Sequence, residues 1–325
     1  MSGVARFGVN PDWLRNRNAK FLQYAEILNV HNDANIASLE YYAENGETKQ
    51  KKFPTAVQEV QNKRKWEDFV DSLLGKYGLY RLWNFEQTSI EKNTFDIALA
   101  NSSFSATYLS QMIRLFIHFK FPARFNGRKL QMLLMDGIAY TALGILIGRN
   151  DQAFSLARLQ LLAYRQGFYS KADFYPIFHF MMRILADYLG ELPHIQRGES
   201  VHEPVFNALY SLWRAPDAEA IVPTCLAALD LHTYCSTYCE GEIHEFDAAW
   251  HITPIELLLM FKLRELQGLA NPKIDHPLMN SPLGVLPHMT TCGSDTLMDS
   301  MRDRMQKDGF NENEIFVECY GSKKN

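Results

Sequence analysis

Residues 215–261 contain no lysine or arginine, although the 325-residue chain has 33 of them. This gap excludes the stretch as a nucleic-acid-binding surface, because phosphate contacts need cationic side chains. Catalytic signatures are missing too. The chain lacks a G-x-S-x-G elbow, a G-x-x-x-x-G-K-[ST] phosphate loop, an H-E-x-x-H helix and a dinucleotide fingerprint. These absences argue against the hydrolase, nucleotide-binding and metalloprotease classes those motifs mark. The five cysteines (225, 235, 239, 292, 319) are an odd number, and "MSGVARFGVNPDWL" has no apolar signal-peptide core. Reduced thiols and a cytoplasmic location are the expectation. Alternating strand patterns are nearly absent, and no repeat of fixed period is visible.

What the sequence does contain is helical periodicity. In "KRKWEDFVDSLLGKYGLYRLW", Trp66, Phe69, Val70, Leu73, Leu74 and Tyr77 follow the spacing of a one-sided helix. Similar patterns cover 11–29, 94–121, 128–148, 151–166, 173–190, 203–214, 217–233, 252–268 and 294–308. Gly167, Gly190 and Gly309 stand where left-handed caps end helices, and Asp151 and Ser294 stand where N-caps belong. The expected class is all-α: an antiparallel bundle or a short irregular array of helical hairpins. One short strand or extended tail is expected at "EIFVECY", 314–320. A linker-like stretch, "GELPHIQRGESVHEP" at 190–204, divides an N-terminal helical region, 1–190, from a C-terminal one, 191–325. The two could equally form one continuous domain.

The apolar stretch "LQMLLMDGIAYTALGILIG", 130–148, could be mistaken for a membrane span. Asp136 interrupts it, and Gly137, Thr141, Gly144 and Gly148 share one face, which favours a buried central helix. The aromatic stretch 174–185, with His179 inside it, reads as core. The basic runs 49–52 and 63–65 lack aromatic interleaving and read as solvated helix ends.

The chemistry concentrates at "YCEGEIHEFDAAWHITPIELLLMFKLRELQGL", 238–269. The base-free window holds eight acids, among them Glu240, Glu242, Glu245 and Asp247 in close succession. Of the chain's 37 acids, 29 lie elsewhere, against 33 bases, so the net charge of −4 arises here. A field of one sign attracts basic partners. The alternatives are a solvated loop without a partner, paired catalytic carboxylates, or a metal site. Cys235, Cys239, His244 and His251 form C-x3-C-x4-H-x6-H, a spacing that matches no compact zinc module. His288 and Cys292 are a nucleophile and base only by proximity in sequence.

The segments "ALYSLWRAPD" (208–217), "TPIELLLMFKLRELQG" (253–268) and "DHPLMNSPLG" (275–284) resemble immunity proteins of bacterial polymorphic toxin and type VI secretion systems, in the mostly helical PoNi-like group. The resemblance spans roughly 200–310. It implies cytoplasmic binding of a cognate toxin, nuclease-like or otherwise basic-surfaced, commonly by covering its active site and without catalysis; the residues themselves point to no cofactor, nucleic-acid partner or membrane span. Contact residues do not transfer from the family. The local charge points to Glu240, Glu242, Glu245 and Asp247, with Tyr238 and Trp250 as flanking aromatic anchors; Trp250 is equally suited to the core.

Overall fold

The computed structural model describes residues 6–47, 66–120, 134–166, 176–191, 203–236, 249–288 and 293–320. Among these residues are eleven α-helices and no strand. They are α1 (Pro11–Asn45), α2 (Trp66–Lys92), α3 (Ile97–Lys120), α4 (Leu134–Leu146), α5 (Asn150–Arg165), α6 (Pro176–Tyr188), α7 (Pro204–Leu212), α8 (Val222–Cys235), α9 (Ile255–Leu266), α10 (Thr296–Lys307) and α11 (Glu312–Tyr320).

Local chemistry sets the ends. Asn10 caps α1 by accepting from the Asp12 N–H at 2.9 Å, with Pro11 in the first turn. Asn93 turns α2 into α3 with φ 50°, and the Asp96 side chain then accepts from Leu99 N–H. Gly190 and Gly309 have φ of 69° and 92°, the left-handed geometry expected of them. Two cap assignments are corrected. Asp295, not Ser294, caps α10 by accepting from Met298 N–H, and Asp151 lies within the first turn of α5. Gly167 lies outside the described residues.

The helix α4 is the centre of the molecule. It packs against α3, α5, α6 and α9, and Ile138 through Ile147 are all buried. Its small face has a steric reason: a Cβ on Gly144 would sit 2.4 Å from the Phe104 ring. No helix among the described residues is long and apolar enough to cross a membrane. On the far side of α3, the α2–α3 hairpin is the largest pairing. The outer helices α10 and α11 lie on α1 and α3.

The expected strand at 314–320 is instead α11. An isolated strand needs a partner for its backbone groups, whereas a helix satisfies its own. Here Ile315 is buried and Phe316 is half-buried against the core. Glu312 in the first turn accepts from Tyr108 Oη at 2.8 Å and from Arg302 Nε at 3.0 Å. Most of the 190–204 stretch lies outside the described residues. The buried hydrophobics on either side of it belong to one core cluster, in which α9 packs on α4 and α6.

Candidate functional site

Of the expected contact residues, Tyr238, Glu240, Glu242, Glu245 and Asp247 lie outside the described residues, as do Cys239, His244, Cys292 and both basic runs. The residues flanking the acidic run are described. They form a buried polar cluster that sequence reasoning missed.

His232, in the last turn of α8, is the hinge pin of this cluster. Its Nδ1 lies 2.9 Å from Glu256 Oε1 on α9, and its Nε2 lies 3.1 Å from the Trp250 carbonyl oxygen. A carbonyl only accepts, so Nε2 carries a hydrogen. The His232 carbonyl in turn accepts from Ser236 Oγ at 2.7 Å. One residue thus holds both the end of α8, just before 237, and the backbone just after 248.

The downstream flank has further anchors. Trp250 has φ 69°, a conformation that costs a bulky residue about 1–3 kcal/mol unless its surroundings impose it. Three groups impose it: His232 on its carbonyl, Glu86 on its backbone N–H, and Tyr140, whose ring meets the indole edge-on at 5.3 Å. Trp250 is only 1% exposed. It is therefore a core residue and not an exposed anchor, a correction to its role as a contact. Glu86 on α2 also accepts from Thr253 Oγ1 at 2.6 Å. Burial pushes the Glu86 carboxyl up to about 7, against the Thr253 and Trp250 hydrogen bonds that favour its ionised form.

The N-terminal segment closes the cluster from above. Asp230 is fully buried and accepts from Arg6 Nε and Nη2, both at 3.0 Å, and from Gly8 N–H at 2.9 Å. His276 Nε2 stands 3.5 Å from the same carboxylate, and burial lowers the pKa of that imidazole. Asn10 N–H donates to Thr233 Oγ1, and Trp13 Nε1 donates to the His251 carbonyl at 2.8 Å.

The structure redistributes the eight acids of the base-free window. Asp230 and Glu256 are internal and out of a partner's reach, while Asp217 and Glu219 are exposed. The metal alternative is half visible: Cys235 is half-buried and His251 is buried. Among the described residues, no three His, Cys, Asp or Glu side chains group as a metal site. The signal that would have exposed the cluster is a polar residue on an apolar face. Glu256 sits among Ile255, Leu257 and Leu258, and Glu86 follows Phe85 on the buried side of α2. His179 is buried edge-on against Tyr164, as core.

Beside the cluster, an apolar groove of about 450 Å³ opens at Ile252 and runs past Leu14, Ile90 and Pro282. Leu14 and Ile90 are 49% and 43% exposed, unusual for large apolar side chains. Val285 continues the groove in a second depression that shares Asn93 and Pro282 with it.

No known protein family, curated protein or solved structure matches this chain.

Proposed function

We propose that this protein is a non-catalytic immunity protein that neutralises a basic-surfaced toxin by binding it through the acidic run 240–247. The observation that carries the reading is the base-free acidic window with both flanks tied to one buried imidazole. Fixing the ends of a segment removes part of the chain entropy that binding would otherwise cost. The carboxylates steer and orient a cationic partner.

Two further features support it. The apolar groove begins at Ile252, which follows the acidic run closely in sequence, and an apolar centre with charged residues about it suits a protein interface. His232, Glu256 and Glu86 are sealed from solvent, which suits anchoring better than turnover. The resemblance of 208–217, 253–268 and 275–284 to PoNi-like immunity proteins points the same way, toward a cytoplasmic antitoxin with a cognate type VI effector as its partner.

The test is co-expression with the product of the neighbouring gene, scoring survival and co-purification together. Rescue with a stable complex is expected. Reversing Glu240, Glu242, Glu245 and Asp247 to lysine is expected to abolish both. Unchanged protection by that folded variant would remove the acidic surface from the reading. Failure of the wild type to rescue or bind would favour a metal- or cysteine-dependent enzyme or a general scaffold.

A further inference from the structure

A second cavity lies on another face, between α2 and α3. It encloses about 440 Å³, within the range of small-ligand pockets. Gly75 leaves its floor open: a Cβ there would stand 3.5 Å from Ser110 Oγ and 3.9 Å from Arg114 Nη2. No clash therefore demands glycine, although glycine weakens a helix interior. Its effect is free space under a guanidinium.

Arg114 is held in a defined pose. Its Nε donates to both oxygens of Asp71, at 3.0 and 3.1 Å, and Ser110 Oγ donates to Asp71 at 2.5 Å. Asp71 thereby orients the guanidinium by its inner nitrogen. The terminal nitrogens, Nη1 and Nη2, form no hydrogen bond with any described residue, and the side chain is 29% exposed. Lys76 lines the same cavity, is exposed, and has no ion pair among the described residues. Thr107 adds a buried hydroxyl that has no hydrogen-bond partner among the described residues. Among the described residues lining the cavity, two cations, Arg114 and Lys76, stand beside one carboxylate, Asp71.

We propose that this cavity binds a small organic anion through one carboxylate or phosphate headgroup. The terminal N–H groups of Arg114 present the planar fork that grips two oxygens of such a group, and Lys76 supplies the second cation as a point charge. The site is independent of the acidic segment and of the toxin reading. Its volume of about 440 Å³ matches a ligand of metabolite size.

The experiment titrates the full-length protein with inorganic phosphate, glycerol phosphate and glycerate at constant ionic strength, with sodium chloride as control. Calorimetry and the thermal midpoint are read together. Saturable binding of a phosphate or carboxylate probe is expected, and the arm that responds identifies the headgroup. Lys76→Gln alters an exposed side chain without structural partners and is expected to weaken binding about tenfold, the worth of one charge-assisted hydrogen bond. Arg114→Gln and Gly75→Leu are expected to abolish it, with folding checked by circular dichroism. Absence of saturable binding at millimolar probe overturns the proposal. So does binding that is unchanged in Lys76→Gln and in a folded Gly75→Leu.

Discussion

The His232 imidazole, at the end of α8, lies 3.1 Å from the Trp250 carbonyl through its Nε2. That contact joins the two residues between which the whole acidic run is strung, and Glu256 holds the opposite ring nitrogen. His232→Leu would leave the buried Glu256 carboxyl facing an apolar side chain and the Trp250 carbonyl with only the Thr253 N–H at 3.2 Å. The expected loss is about 3–5 kcal/mol of unfolding free energy, read by urea denaturation. If the variant retained wild-type stability, the anchoring role of His232 would be disproved.

Glu86 gives the protein a pH-dependent stability of definite sign. Its native pKa is about 7 against an ordinary 4.5, so the native state holds the proton more tightly than the unfolded state. The contribution is fully present below about 4.5 and is lost as the pH rises through about 7, an upper bound of about 3 kcal/mol. Chemical denaturation at several pH values should show this fall in the wild type, and Glu86→Gln should flatten it.

Arg264 illustrates why lysine cannot stand in for arginine. Its Nη1 donates to the carbonyls of Trp213 and Ala215, its Nη2 to Ala270, and its Nε to Asn271 Oδ1. This one fork closes the turn after α7 and the end of α9. Arg264→Lys should destabilise by about 2–4 kcal/mol, because one ammonium cannot reach all four acceptors. A shifted denaturant midpoint with an unchanged slope is the expected signature.

Cys225 and Cys235, both on α8, should differ in reactivity. Burial pushes the Cys225 thiol up to about 12, against a small opposing effect of Arg264, while Cys235 is half-buried. Thiolates are the reactive species. Pulse alkylation followed by peptide mass spectrometry should label Cys235 in the native protein and Cys225 only on unfolding. Equal labelling of both would contradict the packing around α8.

Gly144→Ala tests the centre of the fold. Helix propensity favours alanine, but the new methyl would meet the Phe104 ring at 2.4 Å. Overpacking should win, with a net loss of about 1–3 kcal/mol in thermal or urea unfolding.

Much of the helical layout is legible without coordinates, because one-sided apolar spacing and cap residues act over a few neighbours. Val70, Leu73, Leu74 and Tyr77 are buried on one face of α2, and Gly190 and Gly309 take positive φ, as their local patterns dictate. The segment 314–320 misled because its β-branched and aromatic residues, Ile315, Phe316, Val317 and Tyr320, suit a strand, and only the packing of Ile315 and Phe316 on the core shows which face is buried. Trp250 misled for a similar reason. An indole beside four acids reads as a surface anchor until Tyr140 and Glu86 are found around it.

The sequence by itself determined the all-α class, the placement of most helices and the concentration of negative charge in a window without bases. These depend on residue type and short-range spacing. Only the tertiary structure decided that Asp230 and Glu256 are buried, that His232 ties together backbone on both sides of the acidic run, and that Arg114 lines an open cavity. Each depends on partners distant in the chain: Arg6 reaches Asp230, and Glu86 reaches Thr253. Burial and pairing of this kind follow from how helices pack together, which local periodicity does not encode.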